Sequence, residues 1–193
     1  MSINPLYHKS TNRLEEELEW ISRAKKDPSH FGPVYKEYHE QIFRYIYQRL
    51  GDEETAFDIT SQVFMKALNS LHKYEYKGVP FSSWLYRIAK SEVYQAFRDK
   101  KAERTVNLET IHLFDIAEEI EEDSNEKNKA AILKCLNSLK EGDVELIEMR
   151  FFEKRSYKEM GEILDIKENN AKVKTFRALD KLKQVFANKQ DRV

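Results

Sequence analysis

Residues 156–182 read SYKEMGEILDIKENNAKVKTFRALDKL. The stretch decides the fold class, because each of its local signals points to two short helices joined at an angle. Ser156 followed by Glu159 is a capping box: the hydroxyl accepts the amide N–H three residues on, and the carboxylate reaches back to the cap's own N–H. A first helix is therefore predicted through Leu164. Asp165-Ile166-Lys167 forms a short turn, with Ile166 as its apolar plug. A second helix starts near Glu168 and turns Ala171, Thr175, Ala178, Leu179 and Leu182 inward by their three- and four-residue spacing. Its other side carries Asn169, Asn170, Lys172, Val173, Lys174, Phe176, Arg177 and Lys181. A tight turn followed by a basic helix is helix-turn-helix grammar, and the N-terminal residues of such a second helix reach base edges in a major groove. The bland alternative is a basic amphipathic hairpin, with Phe176 in the core and the two asparagines serving only the turn.

Outside this stretch the composition is equally helical. The chain has 193 residues with 5 Gly and 4 Pro, where average usage would supply about 14 glycines. Tight β turns are therefore scarce, and 35% charged beside 40% hydrophobic residues suits amphipathic helices with solvated faces. An all-α chain is expected. The single Cys135 excludes an intramolecular disulfide and fits a reducing compartment. Five scattered histidines show no metal-ligand spacing, so neither metal nor cofactor is expected. No apolar run approaches the roughly 20 residues needed to span a bilayer, and the start MSINPLYHKS lacks a signal-peptide core. A cytoplasmic protein without membrane insertion, monomeric when free, is the expectation.

Net charge is −1, but the charge is segregated. Thr105 to Glu126 holds eight acidic residues and no Lys or Arg, whereas Ile166 to Val193 holds eight Lys or Arg against three acids. Opposite fields on one chain imply regions with different partners. The acidic stretch has no sustained apolar face and reads as a flexible linker. The predicted organisation is two small helical domains: an N-terminal extension with a short helix over 1–30, a first domain over 31–102, the linker over 103–129, and the helix-turn-helix domain over 130–193.

In the first domain a helix ending at Leu50 is stopped by Gly51, with Asp52 as N-cap of the next helix and Glu53 and Glu54 in its first turn. Gly142-Asp143 reads as a second stop-and-cap pair. Residues 72–80, HKYEYKGVP, form a loop, and the helix FSSWLYRIAKSEVYQAFRDKK follows. Its apolar face carries Trp84, Leu85, Ile88, Ala89, Val93, Ala96 and Phe97, with Phe81 and Trp84 read as core. Tyr86, Arg87, Lys90, Tyr94, Arg98, Lys100 and Lys101 share the helix. Either this is a solvated surface, or it is a platform for a polyanion whose bases can be stacked upon. Tyr74 and Tyr76 straddle Glu75 in the loop, which favours exposure, although one of them can fold back as a lid.

Taken together, FRYIYQRLGDEETAFDITSQVFMKAL (43–68), FSSWLYRIAKSEVYQAFR (81–98), LNSLKEGDVELIEMRFFEKRSYKEMGEIL (136–164) and the helix-turn-helix resemble bacterial RNA polymerase sigma factors of the extracytoplasmic-function (ECF) type, in the sigma-70 family. The resemblance covers roughly 31–101 and 130–186. It implies a promoter-specificity factor, not an enzyme, with core RNA polymerase and promoter DNA as partners, no small-molecule substrate, and an anti-sigma factor as a possible regulator. It implies that the first domain captures the non-template strand of the −10 element through Lys73, Tyr74, Tyr76, Lys77, Arg87, Lys90, Ser91, Tyr94 and Arg98. Capture needs cations for phosphates and aromatic faces for unstacked bases, since opening DNA forfeits about 1.4 kcal/mol of stacking per step. Asp58, Gln62 and Lys66 match the surface that docks on the β′ clamp helices, and the second domain matches one that docks on the β flap. Lys167, Asn169, Asn170, Lys172, Val173, Lys174, Phe176, Arg177 and Lys181 match the −35 reader. The acidic linker matches a segment that passes through the polymerase cleft, although composition suits a solvating tether equally. Four positions depart from the family's habit. Ser91 stands for a common Asn and Gln95 for a common Asp, which leaves the −10 base preference open. Asp165 stands for a usual Gly and Lys167 for a usual Ser at the cap.

Two other classes compete. A stand-alone helix-turn-helix regulator explains 156–182 but leaves 72–101 without a purpose. A helical enzyme would need a nucleophile–base pair, a phosphate-cradling glycine loop or a metal spacing, and none is present in the sequence.

Overall fold

The computed structural model describes residues 11–100 and 126–190, which contain eight α-helices and no strand. They are α1 Thr11–Lys26, α2 Gly32–Leu50, α3 Glu53–Ser70, α4 Phe81–Lys100, α5 Glu126–Leu136, α6 Glu141–Ile147, α7 Tyr157–Leu164 and α8 Glu168–Gln190. The chain divides into two compact units, one containing α1–α4 and the other α5–α8. Most of the acidic linker read at 103–129 lies outside the described residues, and α5 begins four residues before the boundary expected at 130.

In the first unit α2, α3 and α4 pack against one another around Val34, Tyr38, Ile42, Ile46, Ala56, Val63, Phe64, Ala67, Phe81, Leu85 and Ala89, all buried. The α2–α3 corner follows its local chemistry. Gly51 takes the left-handed conformation with φ 67° and donates its N–H to the Tyr47 carbonyl, and the Asp52 carboxylate caps α3 by accepting the Thr55 N–H at 2.9 Å. Helix α1 is part of this unit and not an appendage to it. Ile21 and Ala24 are buried, α1 packs on α2 and on the turn at 71–73, and the wholly buried Glu17 accepts the Phe81 N–H at 2.6 Å. A 3-10 turn, Pro28–Phe31, links α1 to α2; the Asp27 carboxylate accepts the Ser29 N–H at 3.0 Å, which lowers its pKa.

The second unit is built around α8, which packs on α5, α6 and α7. Ile132, Cys135, Leu136, Val144, Ile147, Met149, Phe151, Met160, Ile163, Ala171, Ala178, Leu179, Leu182 and Phe186 form its core. The capping box is present in full: Ser156 Oγ accepts the Glu159 N–H at 3.2 Å, and Glu159 Oε2 accepts the Ser156 N–H at 2.9 Å. Gly142-Asp143 is not a stop-and-cap pair; both residues lie inside the first turn of α6, whose N-cap is Lys140. Asp143 instead receives the Lys181 ammonium at 2.7 Å, joining α6 to α8. Two features left no trace in the periodicity: a π-helical turn at Glu148–Phe152 and a left-handed Lys154 with φ 53°. They deliver Arg155, wholly buried, beside Glu153 at 2.5 Å.

The turn between α7 and α8 depends on a close approach. Asp165 sits in the left-handed region at φ 55° and ψ 46°, and the Ile166 N–H donates to the Gly161 carbonyl at 2.9 Å. A Cβ at Gly161 would stand 2.7 Å from the Ile166 carbonyl oxygen and 3.3 Å from the Glu168 nitrogen, both backbone atoms that cannot swing away. Gly161→Ala is therefore expected to destabilise the chain by roughly 1–3 kcal/mol, whereas Asp165→Gly removes left-handed strain and should stabilise by about 1 kcal/mol. Urea unfolding of the two variants checks both signs; a neutral Gly161→Ala would mean that the close approach does not set the turn.

Candidate functional site

Helix α8 presents its reader face as the spacing requires. Ala171, Thr175, Ala178, Leu179 and Leu182 are buried, with Thr175 Oγ1 donating to the Ala171 carbonyl at 2.8 Å. Lys167, Asn169, Asn170, Lys172, Val173, Lys174, Phe176, Arg177 and Lys181 are all exposed. They are not equally available. Lys181 is shared with Asp143, as above, while Phe176 lies 6.5 Å from the Tyr157 ring, itself covered by the Arg150 guanidinium at 4.7 Å. Tyr157 therefore extends the aromatic surface of α8 onto α7, which the spacing within α8 alone could not reveal. Val173 and Phe176 are exposed large apolar residues on a face otherwise lined by amides and cations.

In the first unit the loop and α4 divide the expected strand-binding residues into two sets. Lys73, Tyr76, Lys77, Ser91 and Arg98 are exposed, and Arg87, Lys90 and Tyr94 are half-buried. Lys90 Nζ lies 5.6 Å from the Tyr94 ring centroid, so a cation and an aromatic face are already adjacent there. Arg98 donates to Gln95 one turn away. Tyr74 is not part of that surface. It is only 7% exposed, against 44% for Tyr76, and its ring packs on Phe81 at 4.8 Å and Trp84 at 5.3 Å. Of the two loop tyrosines, Tyr74 is the lid on the core. Tyr86, placed by the sequence among the cations, is also buried, packed edge-on against Tyr45 at 4.9 Å.

On α3, Asp58, Gln62 and Lys66 are exposed, one turn apart in succession. Lys66 donates to Glu92 of α4 at 2.6 Å, so it also ties two helices together. The sequence reading missed the apolar neighbours of this row: Phe57 is 52% and Met65 62% exposed. Phe57 stacks on Phe43 at 4.3 Å, and Phe43 on Tyr47 at 5.8 Å. On α2 the residues Tyr35, His39, Phe43 and Tyr47 recur every fourth position, with Tyr35 and His39 stacked at 5.1 Å. Their signal was available: Phe57 falls out of step with the inner face of α3, and a large apolar residue off that face asks for a partner.

Among the described residues no group of His, Cys, Asp or Glu could hold a metal ion, and no helix is long and apolar enough to cross a membrane. What the two units offer is surface. One has a basic helix with exposed amides and apolar tips, and the other has a loop and helix with interleaved aromatics and cations.

Comparison with known proteins agrees with that division. Residues 34–103 match sigma-70 region 2, and residues 129–182 match sigma-70 region 4. The chain belongs to the ECF sigma factors of the sigma-70 family. It is 30% identical over 155 residues to the RNA polymerase sigma factor SigZ of Bacillus subtilis, covering 79% of this chain and 85% of SigZ. It is 29% identical over 172 residues to the ECF RNA polymerase sigma factor BldN of Streptomyces coelicolor, covering 88% of this chain and 65% of BldN; the chain thus spans just under two thirds of that longer relative. In fold it is similar to CnrH, solved in complex with the cytosolic domain of CnrY, with a TM-score of 0.59 at 16% identity over 89% of this chain and 97% of CnrH.

The different burial of the two loop tyrosines in this sigma factor has a measurable consequence. Tyr74→Ala opens a cavity beneath Lys25 and is expected to cost roughly 3 kcal/mol, whereas Tyr76→Ala should stay within about 0.5 kcal/mol of the parent. Denaturant midpoints of the two variants decide it; similar losses would mean that Tyr76 is also a packing residue.

Proposed function

We propose that this chain acts as a promoter-specificity subunit: it binds core RNA polymerase, reads a −35 duplex with α8, and captures the melted −10 strand with the 72–80 loop and α4. The observation that carries the reading is that one chain presents two chemically different DNA surfaces. The face of α8 suits intact duplex, with cations for phosphates and Val173, Phe176 and Arg177 projecting for base edges. The loop and α4 suit unpaired strand, with Tyr76 and Tyr94 offered beside Lys73, Lys77, Arg87, Lys90 and Arg98. A regulator that reads duplex alone would have no use for the second surface.

Docking on the polymerase falls to α3, on the β′ clamp helices, and to a surface of the second unit, on the β flap. Asp58 and Gln62 give the α3 contact its polar register, and Phe57 and Met65 supply apolar anchors of the kind that dominate interface energies. Lys66 holds α4 against that surface through Glu92. On α8, Lys172 and Lys174 grip phosphates, with Lys167, Asn169 and Asn170 at the helix entrance. Lys181 serves first to hold α8 on α6. Acting with polymerase places the protein in the cytoplasm as a non-enzymatic subunit. An anti-sigma factor that covers these surfaces is the expected inhibitor, in line with the complex in which CnrH was solved.

Run-off transcription with purified bacterial core polymerase on a pool of genomic fragments tests the whole reading. Discrete start sites should appear only when this chain is added, and their alignment supplies both promoter elements. Binding to duplex without core, and no directed start, would overturn it. Within a working system, Arg177→Ala should erode discrimination among −35 variants by about 1–3 kcal/mol, while Lys174→Ala weakens all sequences alike. Phe57→Ala should reduce affinity for core by about ten-fold or more, which co-sedimentation with core polymerase can measure, while loss of the stack on Phe43 costs about 0.5–1.5 kcal/mol of stability.

A further inference from the structure

Among the described residues, helix α1 belongs neither to the two DNA surfaces nor to the docking face on α3. It packs on α2, and two of its polar side chains also reach the loop between α3 and α4. At the loop's exit, Glu17 is wholly buried and its Oε1 accepts the Phe81 N–H at 2.6 Å. The first turn of α4 contains no acidic residue of its own, so α1 supplies the carboxylate that a helix N-terminus favours. At the loop's entrance, Lys25 Nζ donates to the Tyr74 carbonyl at 2.5 Å and stands 5.8 Å from the centroid of the same ring. Glu17 and Lys25 are eight residues apart on one helix, a rigid span of about 12 Å. Between the two anchored points Glu75, Tyr76, Lys77 and Gly78 are exposed, with Gly78 at φ 73°, and Val79 is buried.

We propose that α1 is a positioning element for strand capture, with Glu17 and Lys25 fixing the two ends of the 74–81 loop so that Tyr76 is held ready for an extruded base. The inference rests on the strand-capture reading of that loop. A loop pinned at both ends loses less freedom on binding, so the strand meets a surface already in its bound shape. Packing alone does not explain the choice of residue. A buried carboxylate pays a desolvation cost that a leucine or methionine of similar volume would not, and what the carboxylate adds is a directed bond to one amide of the loop's end.

The test uses holoenzyme reconstituted from core polymerase and the full chain. The probes are the non-template −10 strand of a promoter mapped by run-off transcription, the same strand with single abasic positions, and the −35 duplex. Lys25→Met keeps the aliphatic stem and removes only the donor. It should lower affinity for the intact −10 strand about ten-fold, the scale of one charge-assisted hydrogen bond. It should leave −35 duplex binding unchanged, and because the lost bond also supports the fold, strand affinities are compared at a temperature where both proteins are fully folded. It should also shrink the penalty that the wild type suffers at the captured base when that base is removed, because a loosely held loop has less of a base contact to lose. Glu17→Gln, which retains an acceptor, should recover more strand binding than Glu17→Leu. Wild-type strand affinity and an undiminished abasic penalty in Lys25→Met would overturn the positioning role of α1. Should the wild-type holoenzyme itself show no abasic penalty at any −10 position, the strand-capture reading fails at its root, and this inference goes with it.

Discussion

Phe81 is the residue on which the first unit closes. Its ring is wholly buried and touches Tyr38 of α2, Tyr74 of the loop and Trp84 of α4, at centroid separations of 6.2, 4.8 and 5.2 Å. Its amide is held by Glu17 of α1. Four segments thus converge on one side chain and its own backbone nitrogen. The aromatic contacts have the tilted and edge-on geometries that ring quadrupoles favour, so they fix orientation as well as burying area. Because Phe81 is also the first residue of α4, whatever places its ring sets where the cationic face of that helix begins.

The second unit is organised by polar burial. Arg155, Glu145, Glu148 and Glu159 are all buried in a domain of three short helices and the long α8, and Arg155 arrives there through the π turn and the left-handed Lys154. The Arg155 carbonyl accepts from Arg150 at 2.9 Å while its amide donates to the Met149 carbonyl at 2.9 Å. Buried ions are costly if their geometry is wrong, so the wholly buried Arg155 tolerates few alternative packings. Its place immediately before Ser156 puts that constraint at the entrance to the helix-turn-helix.

How much of this the sequence disclosed follows from the range of the interactions. The helix order, the Gly51–Asp52 corner, the Ser156–Glu159 box and the inner face of α8 were legible because each is written within three or four residues. Asp165 drew notice only through the family resemblance, where it stands for a usual Gly, and the structure places it in the left-handed region at φ 55°. What escaped was set by partners far along the chain. Tyr74 and Tyr76 are chemically alike and two residues apart; the core took Tyr74, and Lys25, 49 positions away, holds that residue's carbonyl. Lys66 and Lys181 read as free cations until Glu92 and Asp143, 26 and 38 positions away, are brought beside them. Helix α1 read only as part of an N-terminal extension without an assigned role, because its bond to the Phe81 amide spans 64 positions. Gly142-Asp143 shows the converse error, a local signal that matched a cap but fell within a helix.

The Lys181–Asp143 pair changes how the DNA face of α8 should respond to ionic strength. A lysine that neutralises a phosphate contributes about 0.9 to the logarithmic salt slope because it releases a condensed cation from the duplex. Lys181 already has its counter-charge within the protein at 2.7 Å, so engaging a phosphate would only exchange one anion for another. Counting the basic residues of α8 therefore overstates its polyelectrolyte charge. Duplex association through this helix is less steeply dependent on salt than its composition suggests.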